Sequence, residues 1–303
     1  MPVKPVCCPL CGVLAEVAIR RVLDPNTMET FAVHQCPKCK LGITAPQPGN
    51  LDPYYKRRYY GGRHWITRRY CAWRRVRVIT LSTRTPGVLV DIGCGDGSFL
   101  LEARRVGWRV LGTEINARIP APGLEIWGSI DELIPLAPFD CITLWHSLEH
   151  LRDPVGGLRR LRSLLKPEGR LILSVPNARG MQARLFGRHW LHLDVPRHLH
   201  HFGPEPLRRT LQEAGFTLLD VWHHEAEYDV FGWMQSALNK IFHEPNILFD
   251  FVTRHGRRVS RPVIALNLVL GVVLFPLAFA LTVVTTLLGS GGTIIAAAAP
   301  HQS

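Results

Sequence analysis

The stretch Val88 to Phe99, VLVDIGCGDGSF, constrains the fold of this chain more than any other. Val88, Leu89, Val90 and Ile92 around Asp91 read as a short buried strand. Gly93, Gly95 and Gly97 follow as a tight turn, and a helix opens near Ser98. Glycines at alternate positions admit positive φ and let the backbone approach a ligand closely, while N–H groups at a helix start favour negative charge. The expected local structure is therefore a ligand cradle at the end of a strand. A dinucleotide fingerprint, GxGxxG, needs a third glycine where Ser98 stands, so the DxGxGxG pattern departs from it.

Around the cradle, strands are expected at 88–92, 109–114, 124–127, 139–145, 170–175 and 217–223, with helices near 98–106, 153–165 and 204–214. Such alternation gives a mainly parallel sheet covered on both faces, with ligands at the carboxyl ends of its strands. Asp91 is placed to face a cationic amino group, and VLGTE ends the next strand on Glu114, an acid able to accept both hydroxyls of a ribose. VDIGCGDG with Glu114 resembles the class I S-adenosylmethionine-dependent methyltransferases, of the methyltransferase-23-like kind, from about Pro86 to Asp220. The resemblance implies a Rossmann-like α/β sheet with an antiparallel last strand. It further implies a donor site built from Asp91, Gly93, Cys94, Gly95, Gly97 and Glu114, with Ser129, Ile130 and Asp131 near the adenine. Asp131 equally suits a cap on the helix starting at Glu132.

The segment HSLEHLRDP places His146, Glu149 and His150 beyond the fourth strand, where the resemblance puts the methionine part of the donor. HSLEH also fits HxxEH, the inverted zinc-protease pattern, but that reading leaves the glycine cradle without a purpose. Downstream, Pro176 and Asn177 border the expected acceptor pocket, and a lid rich in histidine (His189, His192, His198, His200, His201) precedes the helix at Pro204. His198 is the favoured proton acceptor, with His150 as a further candidate, and Arg197 is placed to hold an acceptor phosphate or carboxylate.

The N-terminal residues, 1–50, carry Cys8-Pro-Leu-Cys11 and Cys36-Pro-Lys-Cys39, 24 residues apart. Two CxxC knuckles at this spacing read as a zinc ribbon, structural because four protein ligands leave no open position. Cys7 and His34 lie close enough to be substitute ligands. Eight cysteines that include two close pairs, with no apolar leader in MPVKPVCCPLC, fit a reducing cytosol.

Residues 51–85 form a basic connector in which Arg68, Arg69, Arg74, Arg75 and Arg77 interleave with Ile66, Tyr70, Trp73, Val76 and Ile79. The spacing predicts a helix with one apolar face on the protein and one guanidinium face in solvent. A net charge of +12 calls for an acidic neighbour: an anionic membrane surface, a phosphorylated substrate or nucleic acid. After the methyltransferase core at 86–223, residues 224–288 form an insertion whose end, Val263–Leu288, has no charged residue and follows Arg254, Arg257, Arg258 and Arg261. Pro276 is expected to divide this run into halves of about 12 residues, or about 18 Å of helix each, too short for a hydrocarbon core of about 30 Å. The expectation is a re-entrant hairpin or interfacial pair docking the enzyme on the cytoplasmic face of the membrane, with a single span or a soluble cap as alternatives. Residues 289–303 supply the final strand and tail.

The combined reading is a methyltransferase acting on a small or lipid-linked acceptor, most naturally a hydroxyl. Two readings stand beside it: an RNA methyltransferase gripping phosphates with the ribbon and basic helix, and a non-catalytic, donor-binding membrane adaptor.

Overall fold

The computed structural model describes residues 5–55, 65–115, 123–253 and 259–301. Most of the aromatic and basic run before Trp65 lies outside the described residues, as do Arg254, Arg257, Arg258 and the side chain of Ile66. Among the described residues, eleven strands follow in order: β1 (Glu16–Leu23), β2 (Thr30–Gln35), β3 (Gly42–Ala45), β4 (Val88–Ile92), β5 (Arg109–Thr113), β6 (Glu125–Trp127), β7 (Phe139–Trp145), β8 (Leu165–Pro176), β9 (His200–His201), β10 (Phe216–Trp222) and β11 (Thr293–Pro300). The helices are α1 (Trp65–Ser82), α2 (Ser98–Arg105), α3 (Pro154–Ser163), α4 (Met181–Phe186), α5 (Pro204–Glu213), α6 (Ala226–Ile241), α7 (Ile247–Val252) and α8 (Arg261–Leu287). Contacts group the chain into two units that interleave along the sequence, where the sequence reading divided it consecutively. One comprises Met1–Arg63, Pro176–Leu207 and Trp222–Ile294, the other His64–Val175, Arg208–Val221 and Ile295–Ser303.

In the first unit, β1, β2, β3 and β9 form an antiparallel sheet in that order. Val22, Phe31 and Val33 from the sheet bury against Tyr54, Trp190, Leu193 and Val195, with Phe31 and Tyr54 meeting edge to face. The lid residues thus supply part of the ribbon's core, which explains how so short a sheet buries its apolar face.

Also in this unit, α8 is one continuous helix of 27 residues, not two halves divided at Pro276. At 1.5 Å per residue it is about 40 Å long. Proline removes one backbone donor and bends a helix without necessarily ending it. Here the following turn is held by Ala278, which packs with Val230 and Trp233 of α6. Asn267, Gly271, Ala278, Thr282 and Thr285 form its buried stripe, and small residues there let α6 and α7 approach closely. Val272 and Val273 are 75% and 67% exposed, and Leu287 is 81% exposed. The chain then enters β11, which lies between β10 and β8. By length and composition α8 is long and apolar enough to cross a membrane, and little of it is buried.

Asp229 of α6 is fully buried and accepts hydrogen bonds from the Thr293 hydroxyl at 3.0 Å and the Glu225 N–H at 3.2 Å. Burial pushes its carboxyl up to about 7, against the pull of those two donors. An unfolded aspartate releases its proton near pH 4, so between pH 4 and 7 the folded chain holds the extra proton and stability falls as pH rises. Asparagine mimics the protonated acid. In urea titrations, Asp229→Asn is expected to flatten this loss, on the order of a few kcal/mol, across that window. An unchanged slope would show that Asp229 is ionised throughout.

The second unit is built on a seven-stranded sheet, order β10-β11-β8-β7-β4-β5-β6, mainly parallel with one antiparallel strand. β4 sits between β5 and β7, both parallel to it. Leu89, Val90, Leu111, Ile142 and Leu144 are all fully buried, as strands covered on both faces must be.

α1 corrects the expected division of faces. Tyr70 and Trp73 are about half exposed, whereas Arg74 and Arg75 are buried beside Cys71, Ala72, Val76 and Ile79. The Arg75 guanidinium lies 4.9 Å from the Trp145 ring centre, a cation–π contact that lets a charge enter an apolar layer. Arg68 and Arg77 remain on the outer side, Arg77 over Trp73.

Candidate donor site and cysteine cluster

The carboxyl end of β4 runs straight into the glycine turn. Gly93, Gly95 and Gly97 have φ of +74°, +58° and +72°, a region costly for any residue with a Cβ. Gly93 and Cys94 both donate to the Thr113 carbonyl at 2.9 Å, which ties the turn to the end of β5. A Cβ on Gly93 would come within 2.6 Å of the Ser147 hydroxyl, which itself donates to the Ile92 carbonyl at 2.9 Å. Gly95 has nothing within 4 Å on its Cβ side, so the cradle is open there. α2 then starts at Ser98 and buries Phe99, Leu100 and Ala103.

Asp91 is 2% exposed and accepts a hydrogen bond from the Thr143 hydroxyl at 2.7 Å. Thr143 is its register partner on β7, an anchoring residue that sequence reasoning missed. A lone hydroxyl inside the apolar run of FDCITLW was the available signal. Glu114 is 9% exposed, and its Oε2 accepts the Gly95 N–H at 3.1 Å. The two acids make an anionic end to the cradle. Burial first, then the charges of Asp91 and Glu114, raise the Cys94 thiol and keep it protonated. Such a site suits a ligand with cationic centres and a diol: Asp91 and the turn toward the amino acid part, Glu114 toward the ribose. S-adenosylmethionine has this donor and acceptor pattern.

Ser129, Ile130 and Asp131 follow β6. Ser129, not Asp131, caps the turn Ile130–Leu136: its hydroxyl accepts the Asp131 N–H, and Glu132 returns a bond to the Ser129 N–H at 2.9 Å. Asp131 is exposed and pairs with Arg160.

His146 has φ of +53°, its N–H donates to the Ser174 carbonyl, and its Nδ1 lies 3.5 Å from Glu149. Leu148–His150 forms only a three-residue turn, so His146 and His150 do not share the helical face that a zinc-protease pattern requires.

The lid residues are held within the first unit. Arg197 is 2% exposed: its Nε donates to Asp194 and its Nη1 to Asp24 and the Tyr54 carbonyl, each at 3.0 Å. Nη2 also pairs with Asp194. This corrects the role expected for it. A guanidinium satisfied by two carboxylates and a carbonyl fastens the lid to the ribbon and has no fork left for an acceptor anion. His198 Nδ1 donates to the His192 carbonyl at 2.9 Å, with Nε2 3.8 Å from Asp194. His201 bonds Thr44 at 2.9 Å, and His192 faces the Tyr228 carbonyl at 3.3 Å.

Cys8, Cys11, Cys36 and Cys39 bring their sulfurs within 4.8 Å of one another, with Cys8–Cys39 at 3.4 Å and Cys11–Cys36 at 3.3 Å. Thiolates about 2.3 Å from a tetrahedral zinc lie about 3.8 Å apart, so the donor set fits that ion. Cys7 is exposed, and neither it nor His34 joins the group.

Residues 63–221, just over half of the chain, match the family described as "Methyltransferase domain". The ubiquinone biosynthesis O-methyltransferase of Xanthomonas euvesicatoria pv. vesicatoria (strain 85-10) is 30% identical over 168 residues, covering 48% of this chain and 70% of that protein. Its counterpart from Xanthomonas axonopodis pv. citri (strain 306) is 29% identical over 152 residues, 44% of this chain and 64% of that protein. Among solved structures, Burkholderia thailandensis 1,6-didemethyltoxoflavin-N1-methyltransferase aligns with a TM-score of 0.48 at 17% identity, over 90% of this chain and 96% of that one. The glycine cradle, its paired acids and the family match over residues 63–221 lead to one conclusion: the chain belongs to the methyltransferase domain family and is a class I S-adenosylmethionine-dependent methyltransferase.

Proposed function

We propose that this enzyme transfers the donor methyl to a hydroxyl of a small, lipophilic acceptor at the cytoplasmic face of a membrane, with a structural zinc in its N-terminal ribbon. The observation that carries the reading is the 30% identity, over 168 residues, to a protein named ubiquinone biosynthesis O-methyltransferase. The donor, when bound, supplies an electrophilic methyl on sulfur. Asp91, Glu114 and the turn from Gly93 to Gly97 hold and orient it. Displacement then needs an acceptor oxygen aligned opposite the sulfur and a group to take its proton. His150 and His198 are the candidates for that proton. An extract of bacterial membranes given methyl-labelled S-adenosylmethionine should yield label in an organic-soluble, base-stable ether. Label found only in RNA would replace this reading with the RNA one, and donor binding without any turnover would favour the adaptor. The burial of Arg74 and Arg75 weakens the basic stripe on which the RNA reading relied.

The exposed apolar side of α8 supports docking along a bilayer surface, with Arg261 at its start. Wild-type protein is expected to float with anionic vesicles. Val272→Glu with Val273→Glu should reduce that binding by tenfold or more, since each charge in an apolar layer costs about 2.5–3.5 kcal/mol. Equal flotation of the variant would remove α8 from the membrane reading.

A further inference from the structure

Within the first unit, a cavity of about 310 Å3 opens between the end of β1, the segment 188–197 and the connection from α6 to α7. Besides Arg197, three cations line it from three walls: Arg21, Arg188 and Lys240. None of the three side chains has a carboxylate partner among the described residues. The acid in the lining, Asp194, is already neutralised by Arg197.

Arg21 is brought there by an irregularity in β1. The pairing of β1 with β2 shifts between Ile19 and Val22, and Arg21 takes a φ of +53°. Bulges re-aim side chains, and left-handed non-glycine residues persist where the surroundings hold them. The opposite wall is also fixed: buried Asn239 donates to the His189 carbonyl at 3.1 Å and to Asn246 at 2.9 Å, and accepts the Asn246 N–H at 2.7 Å. Like charges held around a concavity focus a positive potential on it.

We infer that this cavity binds a phosphate carried on an organic skeleton. Two guanidinium forks and an ammonium from separate walls match a tetrahedral dianion, whereas a planar carboxylate engages one fork. The volume exceeds that of a bare phosphate, and Val22, Leu191 and Phe242 give the remaining space an apolar lining. The inference is independent of the methyl acceptor's identity. The phosphate has two sources: a soluble phosphate ester, or a lipid headgroup, since Lys240 ends the same α6 that packs along α8.

Calorimetry with glucose 1-phosphate, and with glucose as the neutral control, tests the soluble source. Flotation with phosphatidic acid vesicles against phosphatidylcholine vesicles tests the lipid source. In both, wild type is compared with Arg21→Gln/Arg188→Gln/Lys240→Gln and with a charge-matched control, Arg104→Gln/Arg105→Gln/Arg208→Gln. The cavity variant is expected to lose about a hundredfold or more in affinity for glucose 1-phosphate, phosphatidic acid vesicles or both, because charge-assisted bonds are lost. The control should match wild type, and S-adenosylhomocysteine binding should survive in all three. Absence of binding by wild type to either probe overturns the site, as does equal weakening in the cavity and control variants. If the triple variant loses its circular dichroism, Arg188→Gln and Lys240→Gln singly decide by the same criterion, with about tenfold expected from each.

Discussion

Purified protein is expected to carry one zinc ion per chain, and stripping that ion should unfold the N-terminal ribbon. Zinc held by four thiolates contributes apparent free energies of about 10–16 kcal/mol in small metal domains, comparable to the whole stability of an ordinary domain at about 5–15 kcal/mol. The sheet of β1, β2 and β3 is short, and both of its cysteine turns end on the cluster. Without the ion, Cys8, Cys36 and Cys39 are buried thiols with no ligand. Metal analysis with thermal melts, with and without chelator, reads this directly. Cys36→Ser should lose the metal and lower the melting temperature by ten degrees or more, by the usual scaling of about 2–8 °C per kcal/mol. Cys7→Ser should behave as wild type, because Cys7 is exposed and outside the cluster. A metal-free protein whose melting is unmoved by either substitution would make the cluster a set of free thiols.

Gly95→Arg is expected to abolish S-adenosylmethionine binding while leaving the sheet folded. The residue sits at φ +58° with open space on its Cβ side, so arginine adds about 1–2 kcal/mol of backbone strain and fills the cradle with a cation. Asp91 and Glu114 would attract that guanidinium, which then competes with the donor's own positive centres. Glu114→Ala is expected to weaken binding about a hundredfold, the loss of charge-assisted bonds worth about 1.5–3 kcal/mol each, and to free the Gly95 N–H it now holds. Calorimetry with S-adenosylmethionine, and with NADH as the counter-ligand, measures both. Unchanged donor affinity in either variant would move the donor site away from this turn.

Much of the second unit was readable in advance because its signals are local. The strand at 88–92, the helix start at Ser98, the strand at 139–145 and the helix near 204–214 depend on short apolar runs, glycine turns and capping residues, and each appears within a residue of where its pattern places it. The glycine cradle and Glu114 belong to the same class, since spacing along one βαβ path decides them. Four cysteines in two CxxC knuckles likewise declare their partners, because a hairpin of that length leaves little choice.

Other features rested on partners far away in the chain. Periodicity assigned Tyr70 and Trp73 to the inner face of α1, but Arg75 went inside because the Trp145 ring accepts its charge. Arg197 looked like an anion grip until Asp24, 173 residues away, and Asp194 claimed its guanidinium. Pro276 looked like a break until α6 and α7 were there to hold the helix through it. The sequence alone determined the glycine turn, the four-cysteine group and most of the sheet's strands, because those are written in neighbouring residues. Only the tertiary structure decided which charges are spent on holding the protein together and which remain for a ligand, because a side chain's partner is chosen by packing across the fold.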